Sequence, residues 1–205
     1  MAFYFDNNPK SKSKENLIHA NINGNVYTFY TDNDVFSKKR LDYGTRVLLE
    51  NIDLDDFNGN VLDFGCGYGP IGIYIKKNTS ATVDMIDVNN RAISLSKKNA
   101  KLNNVLVNIF ESNIYDNVKN KYDVIITNPP IRVGKKILYE ILFKASDYLK
   151  DGGLLYLVIN KDQGAKSLKK DLEEQYLVTT VCKSSGFYVY KCQKHWLTWI
   201  FLLKL

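Results

Sequence analysis

The 205-residue chain predicts an α/β fold. The expected architecture is a mainly parallel sheet with helices on both faces, closed by an antiparallel hairpin. Three observations lead there. From residue 60 onward, short apolar runs alternate with amphipathic stretches. The first of those runs passes directly into a glycine-rich turn. The last two runs are joined by Lys183-Ser184-Ser185-Gly186, which is too short for a parallel crossover.

In chain order, residues 17–22 and 26–30 alternate apolar with polar and flank Asn23-Gly24-Asn25, a strong hairpin signal. A helical pattern starts near Ser37 or Lys39 and runs to about Ile52. Strands follow at 60–64, 82–87, 106–110, 122–127 and 154–159. Helices fall at 71–77, 90–102, 135–149 and 165–174. The closing hairpin pairs 177–182 with 187–192. This reading divides the chain into an N-terminal extension with a hairpin (1–36), a main domain (37–192) and an apolar tail (193–205).

Composition narrows the function classes. The chain is 45% hydrophobic and 24% charged, as in a soluble globular protein. Its 28 Lys and Arg against 22 Asp and Glu leave a formal charge of +6. That surplus suits a polyanionic partner without naming one. The 24 Lys against 4 Arg, with 22 Asn, read as the imprint of an AT-rich genome. No apolar run reaches the roughly 18 residues of a membrane span, and residues 1–15 lack the apolar core of a signal peptide. Cys66, Cys182 and Cys192 are far apart, with only His19 and His195 to join them. Neither a disulfide scaffold nor a metal site is expected, and a cytoplasmic setting is the simplest.

Four segments carry chemistry. In the first, Asp63-Phe64-Gly65-Cys66-Gly67-Tyr68-Gly69-Pro70-Ile71-Gly72, a strand enters a glycine turn and then a helix, so backbone can approach a ligand closely. Gly67-x-Gly69-x-x-Gly72 with Asp87 also fits a dinucleotide fingerprint. Asp63 opposes that, because a carboxylate beside the turn repels a pyrophosphate and favours a ligand with a cationic amine. S-adenosylmethionine has the amine, a sulfonium and no phosphate. In the second segment Asp87 ends a strand beside the glycine turn, where a carboxylate can accept both ribose hydroxyls. In the third, Ser112 and Asn113 end the next strand and can meet an adenine edge.

The fourth segment, Thr127-Asn128-Pro129-Pro130-Ile131, is the most specific. Two prolines cannot extend the strand before them, and Asn128, preceding a proline, is held extended. Its amide oxygen and the Pro129 carbonyl can accept both hydrogens of a planar amino group. Two fixed acceptors orient such a nitrogen and favour the positive charge it gains on attack, without a strong base. His19, His195 and Cys66 are read as non-catalytic.

The ordered set Asp63-x-Gly65-x-Gly67-x-Gly69, Asp87 and Asn128-Pro129-Pro130 resembles the class I S-adenosylmethionine-dependent methyltransferases that act on amino nitrogens. More narrowly, residues 15–192 are similar to the RsmC-type ribosomal RNA guanine-N2 methyltransferases in their short single-domain form. The resemblance implies a Rossmann-like seven-stranded sheet of order 3-2-1-4-5-7-6 with strand 7 antiparallel. It implies that Asp63, Gly65, Gly67 and Gly69 hold the methionine part, Asp87 the ribose, and Ser112 and Asn113 the adenine. Asn128, Pro129 and Pro130 would hold the target guanine amine, with Asn128 also at the cofactor. Many relatives carry an aromatic residue after the two prolines; here it is Ile131, and Phe36 is the substitute candidate. Longer relatives have a second, amino-terminal methyltransferase-like domain.

Two basic clusters suit phosphate: Lys38, Lys39 and Arg40, and Arg132, Lys135 and Lys136. The expected partner is ribosomal RNA or a ribosomal subunit, with no membrane. A monomer is expected, with residues 193–205 as the route to any dimer. Rival readings are an adenine-N6 or protein-glutamine methyltransferase and a non-catalytic ribosome-assembly factor with a retained cofactor pocket. A nicotinamide-dependent oxidoreductase is opposed by Asp63 and the Pro-Pro turn.

Overall fold

The computed structural model describes residues 12–33 and 35–195, apart from the side chain of Arg132. The apolar tail from Trp196 onward lies outside them. β1 (Asn16–Ile22) and β2 (Asn25–Thr31) form the first hairpin. Asn23 and Gly24 both take positive φ, 49° and 81°, which is the two-residue turn that Asn-Gly favours. Seven strands then build one sheet: β3 (Asn60–Phe64), β4 (Thr82–Asp87), β5 (Asn108–Glu111), β6 (Tyr122–Thr127), β7 (Leu149–Asn160), β8 (Tyr176–Ser184) and β9 (Phe187–Lys194). Their order is β5-β4-β3-β6-β7-β9-β8, and β9 runs antiparallel to both neighbours. This is the expected 3-2-1-4-5-7-6 arrangement.

Among the described residues five α-helices cover the sheet: α1 (Tyr43–Asn51), α2 (Pro70–Asn78), α3 (Asn90–Leu102), α4 (Lys135–Tyr148) and α5 (Ala165–Leu172). Alternation along the strands divides the core into two layers. Val61, Val124, Ile126, Tyr156 and Val158 face the layer that includes residues of α1, α2 and α3. Leu62, Ile125, Leu155, Leu157 and Ile159 face the layer built with α4 and α5. The inner face of the first hairpin, with Ile18, Ile22, Tyr27 and Phe29, belongs to the first layer. Asn99 of α3 ties it there: its amide donates to the Tyr30 and Tyr68 carbonyls at 2.9 and 2.8 Å and accepts from Tyr30 N at 2.7 Å.

Several boundaries differ from expectation by two residues or more, three of them at the start of an element. The first main helix begins at Tyr43, not near 37–39. Ser37 holds φ 55°, incompatible with an α-helix, and Asp42 is the N-cap, accepting from Thr45 N at 2.9 Å. β7 begins at Leu149, five residues before the expected 154. Gly152, with φ 73°, lets the chain continue through Asp151-Gly152-Gly153, and the pairing with β6 shifts register there. β5 begins at Asn108 because Leu106 is 88% exposed and unpaired in the ladder. No helix among the described residues is long and apolar enough to cross a membrane.

Candidate active site

β3 and β6 are adjacent, and the strand order reverses between them. Ligands bind such sheets at the carboxyl ends of the strands at this reversal. A cavity of about 750 Å³ opens there. Ten of the sequence-predicted residues line it: Phe36, Gly65, Gly67, Asp87, Ser112, Asn113, Asn128, Pro129, Pro130 and Ile131. Asp63 and Gly69 do not line it, and neither do the lysines and arginine of the basic clusters whose side chains are described.

The glycine turn is held from below. Gly65, Gly67 and Gly69 have φ of 71°, 56° and 98°. A Cβ on Gly65 or Gly67 would meet no atom within 4 Å, so this edge of the cavity is bare backbone. A Cβ on Gly69 would meet Ile73 and Met85 at 3.0 and 3.1 Å, so Gly69 serves close packing. Asp87 Oδ2 accepts from Gly67 N at 2.8 Å, and Ser96 Oγ donates to the Gly67 carbonyl at 2.7 Å. Asp63 lies wholly buried behind the turn, where its Oδ2 accepts from Gly72 N at 2.8 Å. Its Oδ1 has no hydrogen-bond partner among the described residues. Burial, with a smaller contribution from the Asp87 charge, pushes the Asp63 carboxyl up to about 7.

Asp87 keeps its second oxygen on Asn89 N at 2.9 Å, and burial raises its pKa as well. Asp87 lines the cavity beside the glycine edge. Asn89 caps α3 by accepting from Arg91 N and Ala92 N. Ser112 is buried and its hydroxyl is spent locally, donating to the Ile114 carbonyl and accepting from Asn117 N. Asn113 donates to Asp116 at 3.1 Å. These two side chains stabilise the turn after β5.

At the other end, Thr127 Oγ1 donates to the Phe64 carbonyl at 2.9 Å and locks β6 against β3. Asn128 Nδ2 donates to Asp42 Oδ2 and to Thr45 Oγ1, both at 2.9 Å. Sequence reasoning did not single out Asp42 and Thr45 as site residues, and both line the cavity. The only sequence signal was an Asp three residues before Thr45, the spacing of an N-cap. Tyr68, also on the cavity wall, stacks edge-on to Phe29, and its buried hydroxyl has no partner among the described residues.

The described side chains of the basic clusters lie outside the wall. Lys38, Lys39 and Arg40 are exposed on the turn after Phe36, and Lys38 Nζ donates to Asn33 at 3.0 Å. Lys135 and Lys136 are exposed at the start of α4, with Lys135 over the Tyr139 ring at 4.7 Å. Arg132 sits in a single 3-10 turn, Ile131–Val133, after the prolines. No cluster of metal-ligating side chains occurs among the described residues.

A reversed-order sheet, a bare glycine edge and an Asn-Pro-Pro corner facing one cavity define a Rossmann-like methyltransferase domain. The model of the methyltransferase small domain matches residues 26–191, and the chain belongs to that family. It is 40% identical over 196 residues to protein YbxB of Bacillus subtilis (strain 168), covering 93% of this chain and 98% of that one. It is 36% identical over 146 residues to ribosomal RNA small subunit methyltransferase C of Psychromonas ingrahamii, covering 69% of this chain and 42% of that protein. Among solved structures, it is similar to the T. thermophilus 16S rRNA N2 G1207 methyltransferase (RsmC) in complex with AdoMet and guanosine. That match has a TM-score of 0.80 and 25% identity, over 91% of this chain and 52% of that one. The chain thus spans about half the length of the ribosomal RNA methyltransferases it matches.

Proposed function

We propose that this protein transfers the methyl group of S-adenosylmethionine to the exocyclic N2 amine of a guanine in small-subunit ribosomal RNA. One observation carries this reading. Both amide hydrogens of Asn128 are consumed by Asp42 and Thr45. A carboxylate cannot donate, so the amide cannot be reversed without setting oxygen against oxygen. Its Oδ1 is therefore left to accept a hydrogen bond at the cavity. An aromatic amine is a poor nucleophile until its hydrogens are held and its developing charge is met. Asn128 Oδ1 and the Pro129 carbonyl supply both functions.

The remaining residues fit the cofactor. Gly65 and Gly67 admit close approach. The Asp87 carboxylate suits ribose hydroxyls. Among the described residues no Lys or Arg lines the cavity, so a pyrophosphate would find no cationic side chain there. Bound here, S-adenosylmethionine supplies an activated methyl group on a cationic sulfur. Two of the relatives described above are named as ribosomal RNA methyltransferases, one of them for N2 of a guanine. A ribosomal substrate places the activity in the cytoplasm.

The test is incubation of the protein with methyl-labelled cofactor and under-methylated small ribosomal subunits, followed by nucleoside mass spectrometry. The expected product is N2-methylguanosine. Label in N6-methyladenosine, label confined to protein, or no label with cofactor still bound would replace this reading with one of its rivals.

A further inference from the structure

The Asn128 acceptor addresses only the edge of a base; its planar faces need an aromatic or apolar wall. Phe64 and Tyr68 are committed to the core, at 5% and 3% exposure, against Tyr115 and Phe29. That leaves Phe36 and Phe187 among the phenylalanine and tyrosine rings of the wall. Phe36 is 52% exposed on a turn whose next residue has positive φ. Phe187 is built in. It is the first residue of β9, in register with Asn160 of β7 on one side and Ser184 of β8 on the other. Lys161 N donates to the Gly186 carbonyl at 2.7 Å just before it.

The ring has a dedicated seat. A Cβ on Gly44 would stand 2.9 Å from Phe187 Cε1 and 3.0 Å from Asp42 Oδ2. Gly44 does not take positive φ, so here its missing side chain serves close approach. The Phe187 edge and the carboxylate that holds Asn128 therefore crowd one face of α1. Tyr43 closes the seat, its ring 5.6 Å from Phe187 and its hydroxyl bonded to Ser184 and Ser185 of the hairpin turn.

We propose that Phe187 is the aromatic face against which the target base lies while Asn128 holds its amine. This rests on the reading of the site as a base-amine methyltransferase. A ring already fixed by strand pairing and by Gly44 loses little freedom when a base stacks on it. A base–aromatic contact of this kind changes affinity by about tenfold or more.

The test compares Phe187→Leu, Phe187→Tyr and Phe36→Leu with the parent protein on under-methylated small subunits. It measures kcat and KM for RNA, with cofactor affinity by calorimetry. Phe187→Leu keeps the bulk on Gly44 but removes the π face. It should lower kcat/KM about tenfold or more with cofactor affinity unchanged, and Phe187→Tyr should retain most activity. Leu and Tyr variants of equal, parent-like activity would overturn the proposal, as would an aromatic requirement at Phe36 instead. A parent protein that binds cofactor but methylates no base amine removes the functional reading, and the proposal with it. An active parent with an active Phe187→Leu removes the Phe187 proposal alone.

Discussion

Asn128 Nδ2 lies 2.9 Å from Asp42 Oδ2, across 86 residues of sequence. The same carboxylate oxygen caps α1 through Thr45 N. One acceptor thus ends the loop before the first main helix and orients the amide at the far end of β6. The chemistry of the Asn-Pro-Pro corner depends on a helix cap that its own sequence does not contain.

This coupling predicts a separation of effects. Asn128→Ala removes the amine acceptor and should lower kcat by about 100-fold with cofactor affinity, read by calorimetry, nearly unchanged. Asp42→Ala loses both the cap and the amide anchor. It should cost about 1 kcal/mol of stability and also reduce turnover. Asp42→Ser restores a cap, so urea melts should recover while turnover stays depressed. Full turnover in Asp42→Ser would show that the amide needs no such anchor.

Asp87 accepts from Gly67 N and faces the cavity beside the glycine edge. Asp87→Ala removes the expected ribose acceptor and leaves the Gly67 and Asn89 N–H groups without this acceptor. Calorimetric affinity for S-adenosylmethionine should fall by about tenfold or more. Unchanged affinity would sink the ribose assignment.

The glycines should divide into two kinds. On Gly72 a Cβ would stand 2.7 Å from both Met85 Cγ and Sδ. Gly72→Ala should therefore destabilise the fold by about 1–3 kcal/mol through overpacking. Gly67→Ala meets open space but must hold φ 56°, a strain of about 1 kcal/mol, with its methyl group on the ligand edge. Its main effect should be on cofactor affinity. Denaturation midpoints alongside calorimetry for both variants decide this; the reverse ranking would contradict it.

Asp63 carries a pH signature. Its folded pKa is raised from 3.8 to about 7 by burial. Between those values the folded protein holds a proton that the unfolded chain has released. The associated stability is full below pH 3.8 and is lost as pH rises through 7. Asp63→Asn cannot release a proton. The stability of the cofactor-free parent relative to that variant should therefore fall across this window in urea titrations. A difference that stays constant with pH would mean that Asp63 is ionised throughout.

Much of the fold was legible because its ends are chemically marked. β3 stops at the glycine turn, β6 at Asn128-Pro129-Pro130, and α3 starts at the Asn89 cap, so these boundaries were read correctly from local residues. Alternation with a four-residue final connection marked a parallel sheet closed by an antiparallel hairpin, since parallel strands need long crossovers and antiparallel ones do not; the strand order was implied only by the family resemblance. The entry to β7 was misread because Asp151-Gly152-Gly153 looks like a break, and only pairing with β6 keeps it a strand.

The sequence by itself determined the architecture, the glycine edge, the two strand-end carboxylates and the Asn-Pro-Pro corner. All are set by residues adjacent in the chain, whose local conformations leave few alternatives. Tertiary structure decided which of them face the ligand. It withdrew Asp63 and Gly69 behind the turn and brought Asp42, Thr45 and Phe187 to the wall. The placements of Asp42 and Phe187 depend on contacts over dozens of residues between helix, sheet and hairpin. Such contacts follow from packing, which no local pattern encodes.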